Sequence, residues 1–265
     1  MNRTSVIFKN PHEIELLQDA LPSPRSGEVL IKTHLSAISA GTEMLVYHGQ
    51  FPSKLPVDKN ITTLAHEFRY PLKYGYTTIG RVVETGPAVS NGWLDRMVFC
   101  FNPHESHFVA HQDQLIPVPA DIDPEDALFL PNMESAVNFL MDGRPIIGEA
   151  VVVFGQGVVG LLATAQLATL PVSCLVTLDK WPMRRKKSLD VGAHFTWDPA
   201  APDLQDELAA VCESRSGNKN ADLIYELSGN PQALNQAVDI AGFGTRVVIG
   251  SWYGTRKATL DLGAG

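Results

Sequence analysis

Six consecutive residues, Gly155-Gln156-Gly157-Val158-Val159-Gly160, have the types and spacing to bind a phosphate. They follow the apolar run Val151 to Phe154 and open an apolar stretch that reads as a helix. In that setting the first glycine makes a tight turn, the second lets the backbone approach a pyrophosphate, and the third lets helix and strand pack closely. The free N–H groups at the helix start then face the anion. A second apolar run, Cys174 to Leu178, ends at Asp179. An acid there can accept hydrogen bonds from the adenosine ribose and repel a 2′-phosphate. The pattern predicts binding of NAD or NADP, with NAD favoured; Lys180, Arg184 and Arg185 temper that preference. Ser228 and Gly250, at the ends of later strands, are expected to line the same crevice.

The elements that must position these residues alternate in β-α order beyond Glu149. Strands are expected near Val151, Leu175, His194, Leu223 and Val247, giving about five parallel strands of a doubly wound Rossmann sheet. Asn218-Lys219-Asn220 and Gly242-Phe243-Gly244 read as turns. From Thr4 to about Pro119 short β-like runs are cut by Gly and Pro, among them Val29–Lys32, Gly80–Glu84 and Arg96–Cys100. Between the halves, Asp123 and Pro124 read as cap and first residue of a helix that Pro131 interrupts, and a second helix runs from Asn132 to Met141. The expected organisation is an α/β protein with a β-rich domain over 1–122, connecting helices over 123–148 and a nucleotide-binding domain over 149–265. The final segment, Leu260 to Gly265, carries no helix, so the sheet reads as incomplete and the chain as truncated.

Composition narrows the partners. The chain has 265 residues, 45% of them hydrophobic, and a formal charge of −8. Length argues for two domains, and the acidic balance argues against a nucleic-acid surface. The basic cluster Arg184-Arg185-Lys186-Lys187 reads as a solvated helix start, with contact to the adenosine end of a cofactor as the alternative. Cys100, Cys174 and Cys212 are far apart, so neither a disulfide framework nor a four-cysteine metal site is indicated. No segment approaches a membrane span or signal peptide. A soluble cytoplasmic protein with a small-molecule substrate is expected.

A β-rich half followed by this nucleotide-binding half resembles the medium-chain dehydrogenase/reductase superfamily over essentially the whole chain, with a GroES-like N-terminal domain. Ser39-Ala40-Gly41-Thr42-Glu43, with Tyr47-His48-Gly49 downstream, is similar to the superfamily's C-G-T-D segment. The run from Gly75 to Gly86 is similar to its G-H-E-x-x-G-x-V-x-x-x-G. Within the superfamily the chain most resembles bacteriochlorophyllide dehydrogenases and related zinc-type alcohol dehydrogenase-like members. The resemblance implies hydride transfer between nicotinamide and an alcohol/ketone pair, and a homodimer in the full-length form.

The departures bear on mechanism. Zinc-dependent members place a cysteine in the first motif and a histidine in the second, whereas here Ser39 or Ala40 and Tyr76 stand in those places, and Thr77 replaces the glutamate. A catalytic zinc takes three protein ligands from His, Cys and carboxylates, so no zinc is predicted. Ala65-His66-Glu67 precedes the properly spaced motif and reads as a decoy, and Pro103-His104-Glu105-Ser106-His107 lacks a third ligand. Without a metal, a hydroxyl must polarise the substrate oxygen. The resemblance assigns proton relay to Thr42, Tyr76 is a second donor, and His48 passes the proton to solvent; Glu134 is a weaker candidate. Reduction of an enone or quinone, and a catalytically silent nucleotide-binding protein or fragment, are the alternatives.

Overall fold

The computed structural model describes residues 2–52, 61, 64 and 67–262. The decoy Ala65-His66 lies outside them. The chain divides into two compact units, Met1–Pro131 and Asn132–Gly265.

The first unit is built on two antiparallel sheets. One has the order β2 (Glu13–Ala20), β1 (Asn2–Asn10), β4 (Leu72–Lys73). The other has the order β7 (His107–His111), β3 (Glu28–Ser36), β5 (Thr78–Thr85), β6 (Met97–Cys100), β8 (Ile116–Pro117). Val29 and Ile31, at alternate positions of β3, pack against Val82, Val98, Cys100 and Phe108, the one-face-in pattern that a period of two imposes. Beyond β3 the chain turns into the short helix α1 (Thr42–Tyr47). Helix α2 (Pro124–Ala127) starts as its residues dictate: the Asp123 carboxylate accepts the Glu125 N–H at 2.8 Å, and Pro124 takes the position where a missing N–H costs nothing. Pro131 falls at the first turn of α3 (Leu130–Gly143), where its ring is tolerated for the same reason.

The second unit is a parallel sheet of order β11 (Phe195–Trp197), β10 (Cys174–Leu178), β9 (Ala150–Phe154), β12 (Ala221–Glu226), β13 (Ala241–Ile249). Its central strands are buried on both faces, which explains why they read as continuous apolar runs. Val151, Val153, Leu175, Leu223 and Tyr225 face Phe139 and Leu140 of α3 and Leu167 of α4 (Val158–Leu167). Val152, Phe154, Val176 and Ile224 face Leu204, Leu208 and Cys212 of α6 (Leu204–Ser216) and Ala233 and Ala237 of α7 (Ala233–Asp239). The remaining helix, α5 (Pro182–Asp190), follows β10. Strand order 3-2-1-4-5 within the unit puts a topological switch beside β9, where α/β sheets bind their ligands.

One turn is placed differently from its sequence reading. Gly242-Phe243-Gly244 lies inside β13, where pairing with β12 is interrupted between Ala221/Ala241 and Leu223/Arg246. Gly244 has φ +82°, and the Thr245 hydroxyl accepts the Gly242 N–H at 2.7 Å. The glycines form an irregularity within the strand because flanking residues still find partners on β12.

Candidate cofactor and catalytic sites

The glycine turn has the geometry its spacing predicts. Gly155 adopts φ +85°, and Gly157 caps the start of α4. A side chain on Gly160 would overlap the Gly155 carbonyl, and one on Gly155 would meet the Ser228 backbone. Val158 and Val159 occupy the first turn of α4, where N–H groups lack intrahelical partners and are free for an anion. The Gln156 side chain is directed inward. Its amide donates to the Gly155 carbonyl at 3.0 Å, its oxygen accepts the Thr164 hydroxyl at 3.0 Å, and the residue is fully buried. Gln156 therefore stiffens the turn from below.

Asp179 sits at the end of β10 and is 6% exposed. One carboxylate oxygen accepts the Gln156 N–H and the other the Trp181 N–H, both at 2.8 Å, and Arg184 approaches at 3.7 Å. Each oxygen keeps a further lone pair for a ribose hydroxyl. The Lys180 ammonium lies 5.1 Å over the Trp181 ring. Arg185 turns away to the Asp179 carbonyl at 2.7 Å and Asp198 at 3.1 Å, so of the basic cluster it is Arg184 that flanks the acid.

At the end of β12 the fully buried Glu226 carboxylate accepts the Ser228 N–H at 2.8 Å, the Ser228 hydroxyl and the Tyr253 hydroxyl. Burial, then the bond to Glu226, raises the Tyr253 phenol above its ordinary pKa. Gly250 donates to the Glu226 carbonyl at 3.0 Å, and a side chain there would strike Phe139 and Leu227. Ser228 and Gly250 thus belong to one network, organised by a carboxylate that sequence reading passed over because it lies in an apolar strand.

In the first unit, Thr42 and His48 lie at opposite ends of α1. Thr42 opens α1 and is half-buried; among the described residues its hydroxyl has no partner. His48 follows the other end of that helix, about 9 Å along the axis at 1.5 Å per residue. It is exposed, with its ring 4.9 Å from that of His12 and 5.3 Å from that of Tyr47. Tyr76 packs at the margin of the Phe8, Val46, Phe51 and Tyr74 cluster. No hydrogen bond among the described residues joins Thr42, Tyr76 and His48. Glu134 accepts from Asn138 on the exposed side of α3 at 3.3 Å.

A constellation that sequence reading missed lies beside Thr42. Glu43, 2% exposed, accepts the Ser39 N–H at 2.8 Å, while Ser39 Oγ accepts the Thr42 N–H at 3.4 Å, a reciprocal closure of the helix start. The other oxygen of Glu43 lies 2.9 Å from Nε2 of His104, and His104 Nδ1 lies 2.9 Å from the hydroxyl of exposed Ser36. The imidazole covers Gly75, where a side chain would come within 2.8 Å of the ring. The His104 loop is pinned on both sides: Val6 N–H donates to the His104 carbonyl at 2.9 Å, and Glu105 binds Ser5, Arg3, Lys73 and Asn102. Sixty-one residues separate Glu43 from His104, so no local spacing announces the pair.

The residues in the zinc-ligand places are engaged within the first unit. Ser39 is spent on the helix start and Tyr76 belongs to an aromatic cluster, and among the described residues no three His, Cys, Asp or Glu side chains converge. The three cysteines are buried thiols, and burial pushes Cys100 up to about 12.

A parallel sheet with a glycine turn at its switch point, preceded in the chain by an antiparallel β unit, is an architecture that nicotinamide-nucleotide dehydrogenases use. No family model matches the chain. It is 26% identical to the L-threonine 3-dehydrogenase of Bacillus velezensis over 297 aligned residues, covering 98% of this chain and 79% of that one. It is also 26% identical to the L-threonine 3-dehydrogenase of Xanthomonas campestris pv. campestris, over 89% of this chain and 73% of the relative. Among solved structures, 2R,3R-butanediol dehydrogenase from Bacillus subtilis superposes with a TM-score of 0.78 at 20% identity, covering 98% of this chain and 80% of that one. A short chain alcohol dehydrogenase from E. coli CFT073, solved with NADH, superposes with a TM-score of 0.77 at 18% identity over 98% and 79% of the two chains. The chain is thus similar in sequence to L-threonine 3-dehydrogenases and shares the fold of alcohol dehydrogenases, likenesses that support an alcohol dehydrogenase-like, NAD(P)-dependent oxidoreductase resembling the medium-chain dehydrogenase/reductase superfamily.

Proposed function

We propose that the protein interconverts a secondary alcohol and its ketone with NAD(H) or NADP(H), and that it does so without a catalytic zinc. The observation that carries the reading is the state of the first motif: Ser39 closes a helix start, Ala40 stands beside it, and the neighbouring Thr42 hydroxyl has no partner among the described residues. When bound, nicotinamide supplies or accepts the hydride. Negative charge that builds on the substrate oxygen is met by the Thr42 hydroxyl, and Tyr76 adds a second donor from the adjoining cluster. Asp179 selects for an unphosphorylated ribose, and Arg184 beside it leaves NADP within reach. The names of the relatives suggest hydroxy-amino acids and vicinal diols as first substrates to screen.

The test is turnover of such a panel with NADH and NADPH. Thr42→Ala is expected to lower kcat about 100-fold, the ordinary contribution of a positioned proton donor or acceptor, and Tyr76→Phe less. Unchanged turnover in both variants, or activity that a chelator abolishes and zinc restores, contradicts the reading.

A further inference from the structure

We infer that Ser36, His104 and Glu43 form a proton-carrying chain for the alcohol/ketone reaction, with Ser36 as the group that exchanges the proton with substrate. The inference rests on the reading of the site as a dehydrogenase site, and it adds a route for the proton that Thr42 alone does not provide.

The geometry is that of a hydroxyl, an imidazole and a carboxylate in line: 2.9 Å from Ser36 Oγ to Nδ1, and 2.9 Å from Nε2 to Glu43. Burial falls along it in the useful direction. Ser36 is exposed, His104 is 8% exposed and Glu43 is 2% exposed. A buried carboxylate facing Nε2 fixes a hydrogen on that nitrogen, so Nδ1 presents its lone pair to Ser36. Ser36 closes β3 opposite Thr78 of β5, and the next residue, Ala37, donates to the Thr77 carbonyl at 3.1 Å. Its hydroxyl therefore stands on the same edge as the Gly75-Tyr76 turn that His104 covers and the Ser39–Thr42 turn that Glu43 closes.

In alcohol oxidation a bound nicotinamide would accept the carbon-bound hydrogen as hydride, which leaves the hydroxyl proton to the protein. The alcohol oxygen gives its proton to Ser36 Oγ as the Ser36 hydrogen passes to His104 Nδ1, and the imidazolium is held by Glu43 until, once the product has left, the proton returns through the exposed Ser36 hydroxyl to solvent. Ketone reduction runs the same transfers backwards. The charged groups around the imidazole are Glu43 directly and, along its loop, Glu105, whose carboxylate is met by Arg3 and Lys73. His104 and Glu43 are positioning residues acting through Ser36.

Two measurements on the full chain test this. Long-range 1H–15N spectra of the histidine rings at about pH 8 are expected to show His104 protonated on Nε2 and not on Nδ1, a pattern that Glu43→Gln loses while the Gln oxygen still accepts the Ser39 N–H. A ring protonated on Nδ1, or on both nitrogens, overturns the chain whatever the substrate. In the turnover assay, Ser36→Ala and His104→Gln are expected to lower kcat about 100-fold and flatten its pH profile, with KM and NADH affinity changed less than about threefold. Loss of NADH affinity in step with kcat, or an unchanged pH profile, assigns the triad to folding alone. If the wild-type chain turns over no alcohol or ketone, it is the dehydrogenase reading that fails, and the spectra still decide the proton path.

Discussion

At the scale of single residues, Gly160 carries the cofactor turn because space beside it is taken by the Gly155 carbonyl. Gly160→Ala forces the first turn of α4 away from β9, and we expect NADH affinity to fall at least about tenfold with a smaller loss of stability; calorimetric titration of the variant checks this. Affinity within about twofold of wild type would show that the turn tolerates the shift. The glycines and Asp179 were legible in the sequence because each answers a local need: a positive φ, a close approach, an acid at a strand end. Gln156 was not, since a polar residue between two glycines gives no sign that its amide will turn inward to Thr164. Glu43, His104 and Glu226 were missed for a related reason. Their partners lie on other elements, and a buried carboxylate in a strand or helix looks in sequence like an exposed one.

Elements were more legible than residues. The three central parallel strands follow from buried apolar runs, and α2 begins at the Asp123-Pro124 pair that announces it. What the sequence left open was how element ends are tied. Arg246 of β13 meets both oxygens of Glu149 at 2.8 Å and donates to the Gly143 carbonyl at 3.1 Å, joining α3, the start of β9 and an edge strand. Burial raises the Glu149 pKa, but the bonds from Arg246 and the Ile146 N–H prevail and hold it below the usual carboxylate range. A carboxyl so depressed stabilises the folded chain at pH above its unfolded value, and that stability is lost as pH falls through the folded one. Glu149→Gln is expected to cost about 1 kcal/mol at neutral pH, or roughly 2–4 °C in Tm, and the gap should close on acidification. A gap that widens in acid would reverse the sign argued here.

For the whole molecule, the second unit carries the glycine turn and the first carries Thr42, Tyr76 and Ser36, the hydroxyls to which the proposed chemistry is assigned. Among the described residues no helix is long and apolar enough to cross a membrane. The order of β-rich unit and nucleotide unit was legible from the short β-like runs cut by Gly and Pro up to about Pro119 and the β-α alternation beyond Glu149. The boundary itself, between Pro131 and Asn132, falls within the segment expected to connect the halves, where helix caps and prolines mark several breaks of similar strength. The most direct measurement of the central claim is calorimetric titration of the purified full chain with NADH and NADPH, coupled to elemental analysis of the same sample for zinc. Saturable nucleotide binding with zinc far below one atom per chain is the predicted result. Stoichiometric zinc, or no binding of either nucleotide, would contradict it.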